Sequence, residues 1–271
     1  DHLAGRWVVM DVAYTDIDNG PYYICVAVSN SLPAPLTPGI YFSSTYWYFY
    51  AISTNQGNFH YYPDSPKLVL WPDGYYLAAD MIDVTNNGFN RTPRGVKVWA
   101  LNREDLIAGL VSTFRSIDFY LSEQLGFEHL VPSNLLGLPP ATGTPNYFAS
   151  IQPGKFHIWE FYADWNELSP STFGVSPSHR PNFSLDTDTQ EIWAIGYQVR
   201  QQRGSERLDV HGERLMSPLQ YRILDGIPSI WVSHAVQDDA AAGVRWYEIR
   251  RDTDGVPFFY QQGTYAPGPT V

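Results

Sequence analysis

The chain is short of cysteine, of charge and above all of basic residues, and each shortage removes a class of function. Cys25 is its single cysteine, so no intrachain disulfide can form. It lies in the strand-like run Tyr22-Tyr-Ile-Cys-Val-Ala-Val28, where the expected role is a small buried hydrophobe. With no second cysteine and no HExxH-like spacing among the seven histidines, no metal site is expected. Gly-rich phosphate loops, a GxSxG elbow and a Walker pattern are missing, so no cofactor is expected. Lysine and arginine number 17 against 28 acids, for a formal charge of −11. That balance repels phosphate backbones, and no basic run offsets it, so nucleic acid is not an expected partner. No uninterrupted apolar stretch approaches the roughly 18 residues that a membrane span needs. The chain opens at Asp1 without a Met and without a signal-like segment, which predicts a processed or excised piece of a longer chain.

What the sequence does have is aromatic side chains, at 15% of residues. Large rings fit half-buried pleated surfaces, so the excess points to strands. Short runs rich in β-branched and aromatic residues recur between Gly/Pro/Asn/Asp clusters: Arg6–Tyr14, Tyr22–Asn30, Tyr46–Ser53, Lys67–Trp71, Tyr75–Ile82 and Val96–Leu101. Further runs follow at Asn146–Ile151, Lys155–Ala163, Glu191–Val199, Arg214–Tyr221, Ser229–Val236, Val244–Arg250 and Val256–Gln262. Trp71-Pro-Asp-Gly-Tyr75 reads as a hairpin tip, because Pro presets one turn residue and Gly accepts positive φ. Helix is scarce. Asn102–Gly109 has a capping residue, acids in its first turn and a terminating Gly, which predicts one or two turns. Thr113–Leu125 fits helix or strand, and Ser31–Gly39, Pro132–Pro145 and Ser169–Pro181 read as long surface loops.

The sequence also repeats itself. Gly95-Val-Lys-Val-Trp-Ala-Leu-Asn-Arg103 and Gly243-Val-Arg-Trp-Tyr-Glu-Ile-Arg-Arg251 are close copies, and Gly154-Lys-Phe-His-Ile-Trp-Glu-Phe161 is a looser third. A unit of a few antiparallel strands cannot bury both faces alone, whereas units stacked around an axis can. The expected fold is therefore all-β, a β-propeller-like array of antiparallel sheets over residues 1–271. About four to five blades would make it either a small propeller or part of a larger one. A sandwich is the alternative.

Six motifs occur in order: Trp71-Pro-Asp-Gly-Tyr-Tyr-Leu77, Gly137–Phe148 ending Pro-Asn-Tyr-Phe, His157-Ile-Trp-Glu-Phe161, Glu213-Arg-Leu-Met216, Gly243-Val-Arg-Trp-Tyr-Glu-Ile249 and Tyr260-Gln-Gln-Gly-Thr-Tyr265. From Arg6 to Tyr265 the set resembles a group of large, mostly bacterial extracellular proteins that carry a propeller-like module and have no assigned activity. The resemblance implies the fold and an extracellular or cell-surface location, not a chemistry. Members tend to carry an acid-rich loop where this chain has Pro132-Ser-Asn-Leu-Leu-Gly137, which argues against a calcium role for that loop.

Three groups of residues could carry function. Asp64, Asp73, Asp80 and Asp83 surround one hairpin, and a glycoside hydrolase needs two carboxylates flanking the scissile bond. Turn and solvation chemistry accounts for such acids more simply. Ser53-Thr-Asn-Gln-Gly-Asn-Phe59 is similar to the Asp-box of sialidase propellers, where that box is a folding turn. Finally, Arg214, Arg222 and Arg245 lie on or beside strands with His234 between them. Converging guanidinium groups hold carboxylates by paired hydrogen bonds, so Arg214, His234 and Arg245 are the expected ligand-binding residues, with an acidic sugar as the fitting ligand. Pairing with Glu213, Asp225 or Glu248 is the structural alternative for the arginines. The expected function is a non-catalytic module that binds a glycan or a protein surface. A glycan-acting enzyme, hydrolase or sialidase-like, is the competing class.

Overall fold

The computed structural model describes residues 1–30, 46–187, 198–200, 205–238 and 241–266. The loop expected at Ser31–Gly39 and most of the strand expected at Glu191–Val199 lie outside these residues. The protein is nearly all-β and built of antiparallel sheets, the propeller-like class expected from the sequence. It divides into two compact units, Asp1–Glu128 with Ala163–Ser171, and His129–Tyr162 with Thr172–Val271. Among the described residues no helix is long and apolar enough to cross a membrane.

Among the described residues the first unit holds two sheets. Strands β1 (Val8–Tyr14), β2 (Tyr22–Ser29) and β3 (Trp47–Ser53) form a meander. Strands β4 (Tyr62–Leu70), β5 (Gly74–Thr85), β6 (Asn90–Asn102) and β7 (Ser116–Ser122) form a second. Period-2 alternation sends Ile24, Val26 and Val28 of β2 and Tyr75, Leu77, Ala79 and Met81 of β5 into one shared core, closed by Trp99, Leu101 and Leu106. The Trp71–Tyr75 tip closes with the Trp71 amide donating to the Gly74 carbonyl at 2.9 Å. The half-buried Asp73 carboxylate there accepts from Tyr76 Oη (3.1 Å) and Trp165 Nε1 (2.9 Å).

Leu106 sits on the short helix α1 (Arg103–Ala108), which starts and stops where its capping residues require. Asn102 Oδ1 accepts the Asp105 amide at 2.9 Å, and Gly109 closes the helix at φ 76°. Tyr50 Oη donates to the Leu106 carbonyl at 2.7 Å and ties the helix to β3. The ambiguous stretch after it resolves into β7 and a 3-10 turn at Glu123–Leu125.

The second unit contains β8 (Val131–Leu135), β9 (Asn146–Gln152), β10 (Lys155–Tyr162), β11 (Thr172–Phe173), β12 (Phe183–Asp186), β13 (Gln198–Arg200), β14 (Arg207–Asp209), β15 (Leu219–Leu224), β16 (Ile227–Asp238), β17 (Ala241–Arg251) and β18 (Pro257–Tyr265). Nine of them make one sheet in the order β11-β10-β9-β8-β15-β16-β17-β18, with β12 also on β10, while β13 pairs β14 separately. The join between β8 and β15 is parallel, with Leu219 opposite Ser133 and Tyr221 opposite Leu135. Strand β8 changes partner midway, since only Val131 and Pro132 pair with β9. Side chains carry the bonding past that point: Ser133 Oγ accepts the Tyr147 amide at 3.0 Å, and Asn146 Nδ2 donates to the Ser133 carbonyl at 2.8 Å.

Two stretches expected as loops therefore contain strand residues, β8 running from Val131 into Pro132–Pro145 and β11 lying within Ser169–Pro181. Val-Pro-Ser-Asn-Leu lacks both alternation and β-branched density, and its pairing is supplied by distant partners. The strand expected from Arg214 begins only at Leu219, after Pro218 interrupts the donor pattern. Each glycine-initiated copy lies on the third strand of an antiparallel succession: β6 after β4-β5, β17 after β15-β16, and β10 after β8-β9.

Candidate functional site

The three expected ligand-binding residues occupy one region of the second unit. His234 and Arg245 are direct cross-strand partners on β16 and β17. The segment carrying Arg214 docks beside them, with the Met216 amide donating to the Ser233 carbonyl at 2.8 Å. His234 and Arg245 face the interior, at 1% and 8% exposure. Arg245 Nη1 donates to Thr264 Oγ1 and Nη2 to Gln262 Oε1, both at 3.0 Å, and the guanidinium lies 5.6 Å from the Tyr247 ring centre. His234 stacks on the same ring, 5.7 Å between centres and 3° between planes. Burial pushes its imidazole down to about 4, so it is neutral at pH 7. Arg214 Nε donates to Glu213 Oε1 at 2.8 Å, and Arg222 is exposed.

The segment most like Gly243–Arg251 in sequence, Gly95–Arg103, gives a comparison for Arg245. Lys97 holds the equivalent place on β6, is 5% exposed, and lies 5.5 Å from the Trp99 ring centre. It pairs with Asp118 at 3.0 Å, the residue opposite Trp99. Arg245 reaches the corresponding residue of its own sheet, Gln262, opposite Tyr247. His157 precedes Trp159 by two on β10, and their ring centres are 6.0 Å apart. A cation or imidazole thus stands two residues before a large ring on all three strands, over the ring for Lys97 and Arg245 and tilted against it for His157.

The acids disperse among separate partners. Asp83 pairs with Arg94 at 2.7 Å and Asp64 with Arg91 at 3.4 Å. Asp64 and Asp80 do face each other across β4 and β5. Among the described residues no group of three or more His, Cys, Asp or Glu is arranged to hold a metal ion.

An accessible aromatic surface stands in the first unit, on the segment with Asp-box-like spacing. Thr54 is fully buried and its hydroxyl donates to the Tyr61 carbonyl at 2.7 Å. Lys97 Nζ donates to the Asn55 carbonyl at 2.9 Å, and His60 Nδ1 lies 2.7 Å from Asn55 Oδ1. Between these anchors the chain reverses in two residues: the Gln56 amide donates to Phe59 O (2.9 Å) and the Phe59 amide to Gln56 O (3.0 Å). Gly57 takes φ 58° at the first central position, a value that suits glycine. Phe59 and Tyr61, two apart, then point to one side, where Tyr120 of β7 joins them. Phe59 and Tyr61 are parallel with centres 6.0 Å apart, and Tyr61 and Tyr120 lie at 17° and 6.3 Å.

Tyr61 and Tyr120 are half-buried and packed against the core, and Tyr120 Oη also donates to the Arg94 carbonyl. Burial pushes the Tyr120 phenol up to about 12, so it stays neutral. Phe59 is 64% exposed. The rings border a shallow depression of about 520 Å³ whose polar lining comes from Gln56, Asn58, Ser122, Glu123 and Gln124. Rings rooted in the core offer C–H-binding faces at little entropic cost, and amides beside them offer donors and acceptors to hydroxyl groups. The sequence carried this signal as Phe59-x-Tyr61 directly after a Gly-centred turn, but Tyr120 arrives from 59 residues away and only the fold supplies it. No family model, curated protein or solved structure matches the chain.

Proposed function

We propose that the protein is a non-catalytic binding module of the extracellular type, and that its ligand is a carbohydrate laid on the Phe59–Tyr61–Tyr120 surface. The observation that carries this reading is the run of near-parallel rings bordered by amide, hydroxyl and carboxylate groups. Apolar sugar faces stack on rings while their rims hydrogen-bond to such groups. A neutral sugar suits the site: Glu123 is its charged group, and Arg94 nearby is already engaged by Asp83. The recurring cation-and-ring strands favour a repeated-blade architecture, in keeping with the resemblance of the motifs to extracellular propeller modules.

Affinity electrophoresis in gels containing soluble neutral polysaccharides tests the proposal. Retardation is expected for the wild type and for Arg214→Ala. Phe59→Ala should weaken binding about tenfold, as for the loss of one stacking ring, with its melting temperature unchanged. Retardation by acidic glycans alone, lost in Arg214→Ala, would move the site to the Arg214–His234–Arg245 region. A second reading, glycan hydrolysis, is favoured only by the facing pair Asp64 and Asp80. Release of reducing ends that disappears in Asp80→Asn would establish it in place of simple binding.

A further inference from the structure

The second unit holds a half-open cavity of about 390 Å³ that the carbohydrate reading does not use. It opens to solvent on one side and its lining is mostly apolar with a few polar groups, the setting in which small-molecule sites occur. Its inner walls are buried residues of four strands: Tyr147 of β9, Ile158 of β10, Tyr221 of β15, and Ile230 of β16. The hairpin end at Ile223 and Ile227 and the turn at Pro140–Thr144 form the rim, and Ile227 is 45% exposed. The space is therefore reachable from the surface, unlike a sealed packing defect.

The charged groups on its lining are already engaged. Arg251 is ion-paired with Glu160 and lies 4.7 Å from the Tyr147 ring centre and 5.3 Å from that of Phe183. Arg250 pairs with Glu248 at 2.6 Å and sits 3.4 Å over Tyr260. Asp252 Oδ1 accepts the amides of Asp254 and Val256, both at 2.9 Å. An incoming anion would have to displace Glu248 or Glu160 from its arginine, whereas an uncharged molecule would not. Burial raises both phenols, that of Tyr221 to about 12, so neither adds a charge. The two rings lie near-parallel, 6.3 Å apart at 22°, and share the lining with five isoleucines.

We infer that this cavity is a binding site for a small, uncharged, planar apolar molecule, entering past Ile223 and Ile227 to lie against Tyr147 and Tyr221. The site is distinct from the carbohydrate surface and does not depend on it. The test is fluorescence titration with N-phenyl-1-naphthylamine, an uncharged probe, against wild type, Ile223→Trp, Ile227→Trp and Phe59→Ala. Saturable enhancement at one probe per chain is expected for wild type and Phe59→Ala. An affinity loss of at least tenfold is expected in both tryptophan variants, which fill the space from its exposed rim and should keep the wild-type circular dichroism. Absence of saturable binding to the wild type would overturn the inference, as would equal affinity in both folded tryptophan variants. Tighter binding of the anionic analogue 1-anilinonaphthalene-8-sulfonate would overturn the uncharged class.

Discussion

Gly95 and Gly243 open the two close copies, and exchanging each for alanine should have very unequal effects. Gly95 lies opposite Ser122 at the start of the β6–β7 ladder, with φ 121°, a conformation costly for any side chain. A Cβ there would meet the Leu121 carbonyl oxygen at 1.9 Å and the Glu123 amide at 2.9 Å. Both are backbone atoms, so relief requires β7 to move away. The strained φ costs about 1–3 kcal/mol, and loss of one or two ladder hydrogen bonds adds about 1 kcal/mol each. Gly95→Ala should thus lose about 3–4 kcal/mol, or roughly 10 °C in melting temperature for a domain of this size. At Gly243 φ is ordinary, and the nearest atoms are Tyr265 O at 3.2 Å, with Ala266 Cβ and Thr264 Cγ2 at 3.3 Å. The chain can yield by a few tenths of an ångström there, and Gly243→Ala should cost less than about 1.5 kcal/mol. Differential scanning calorimetry of the two variants decides the matter. Equal losses, or a Gly95→Ala protein melting within 2 °C of wild type, would refute the assignment of the β6–β7 approach.

Two further outcomes follow from polar groups inside the fold. His234 is depressed from 6.5 to about 4 by burial, so the unfolded chain takes up its proton first as pH falls. Its contribution is complete above pH 6.5 and is lost progressively down to about pH 4, amounting to roughly 3 kcal/mol; His234→Phe should flatten the melting temperature across that window. Asn102→Ala removes the side-chain acceptor of the Asp105 amide and should cost about 1 kcal/mol by urea unfolding, without altering the probe binding at the second unit.

Local chemistry was the legible part of the sequence. Asn102 and Gly109 bounded α1, and the Trp71–Tyr75 tip closed between β4 and β5 where the sequence placed it, although Gly74 does not take the positive φ that its turn reading invoked. Strands that depend on a remote partner escaped: β8 is too polar to announce itself, and its second half is held by β15. The site residues divide in the same way. Arg245 and His234 stood out as basic residues in apolar strands, yet the sequence could not tell a group clamped over Tyr247 from one facing a ligand. The Asp-box-like spacing correctly marked a turn, but its value lay in the rings it aims, one of which comes from another strand.

The change of partner along β8 sets a timetable for synthesis. Gln220 of β15 donates to the Asn134 carbonyl of β8 from 86 residues further along the chain. While the intervening chain is being made, β8 has β9 on one side and an open edge on the other, the arrangement that invites pairing with a second nascent chain. Pro132 removes one donor from that edge, which blunts it without closing it. The second unit therefore cannot complete its sheet until β15 has left the ribosome, whereas every described ladder of the first unit joins neighbours in sequence and its last segment, Ala163–Ser171, precedes β15. Slow, long-range closure in one half and early, local closure in the other give a chain whose two units mature at different moments of translation.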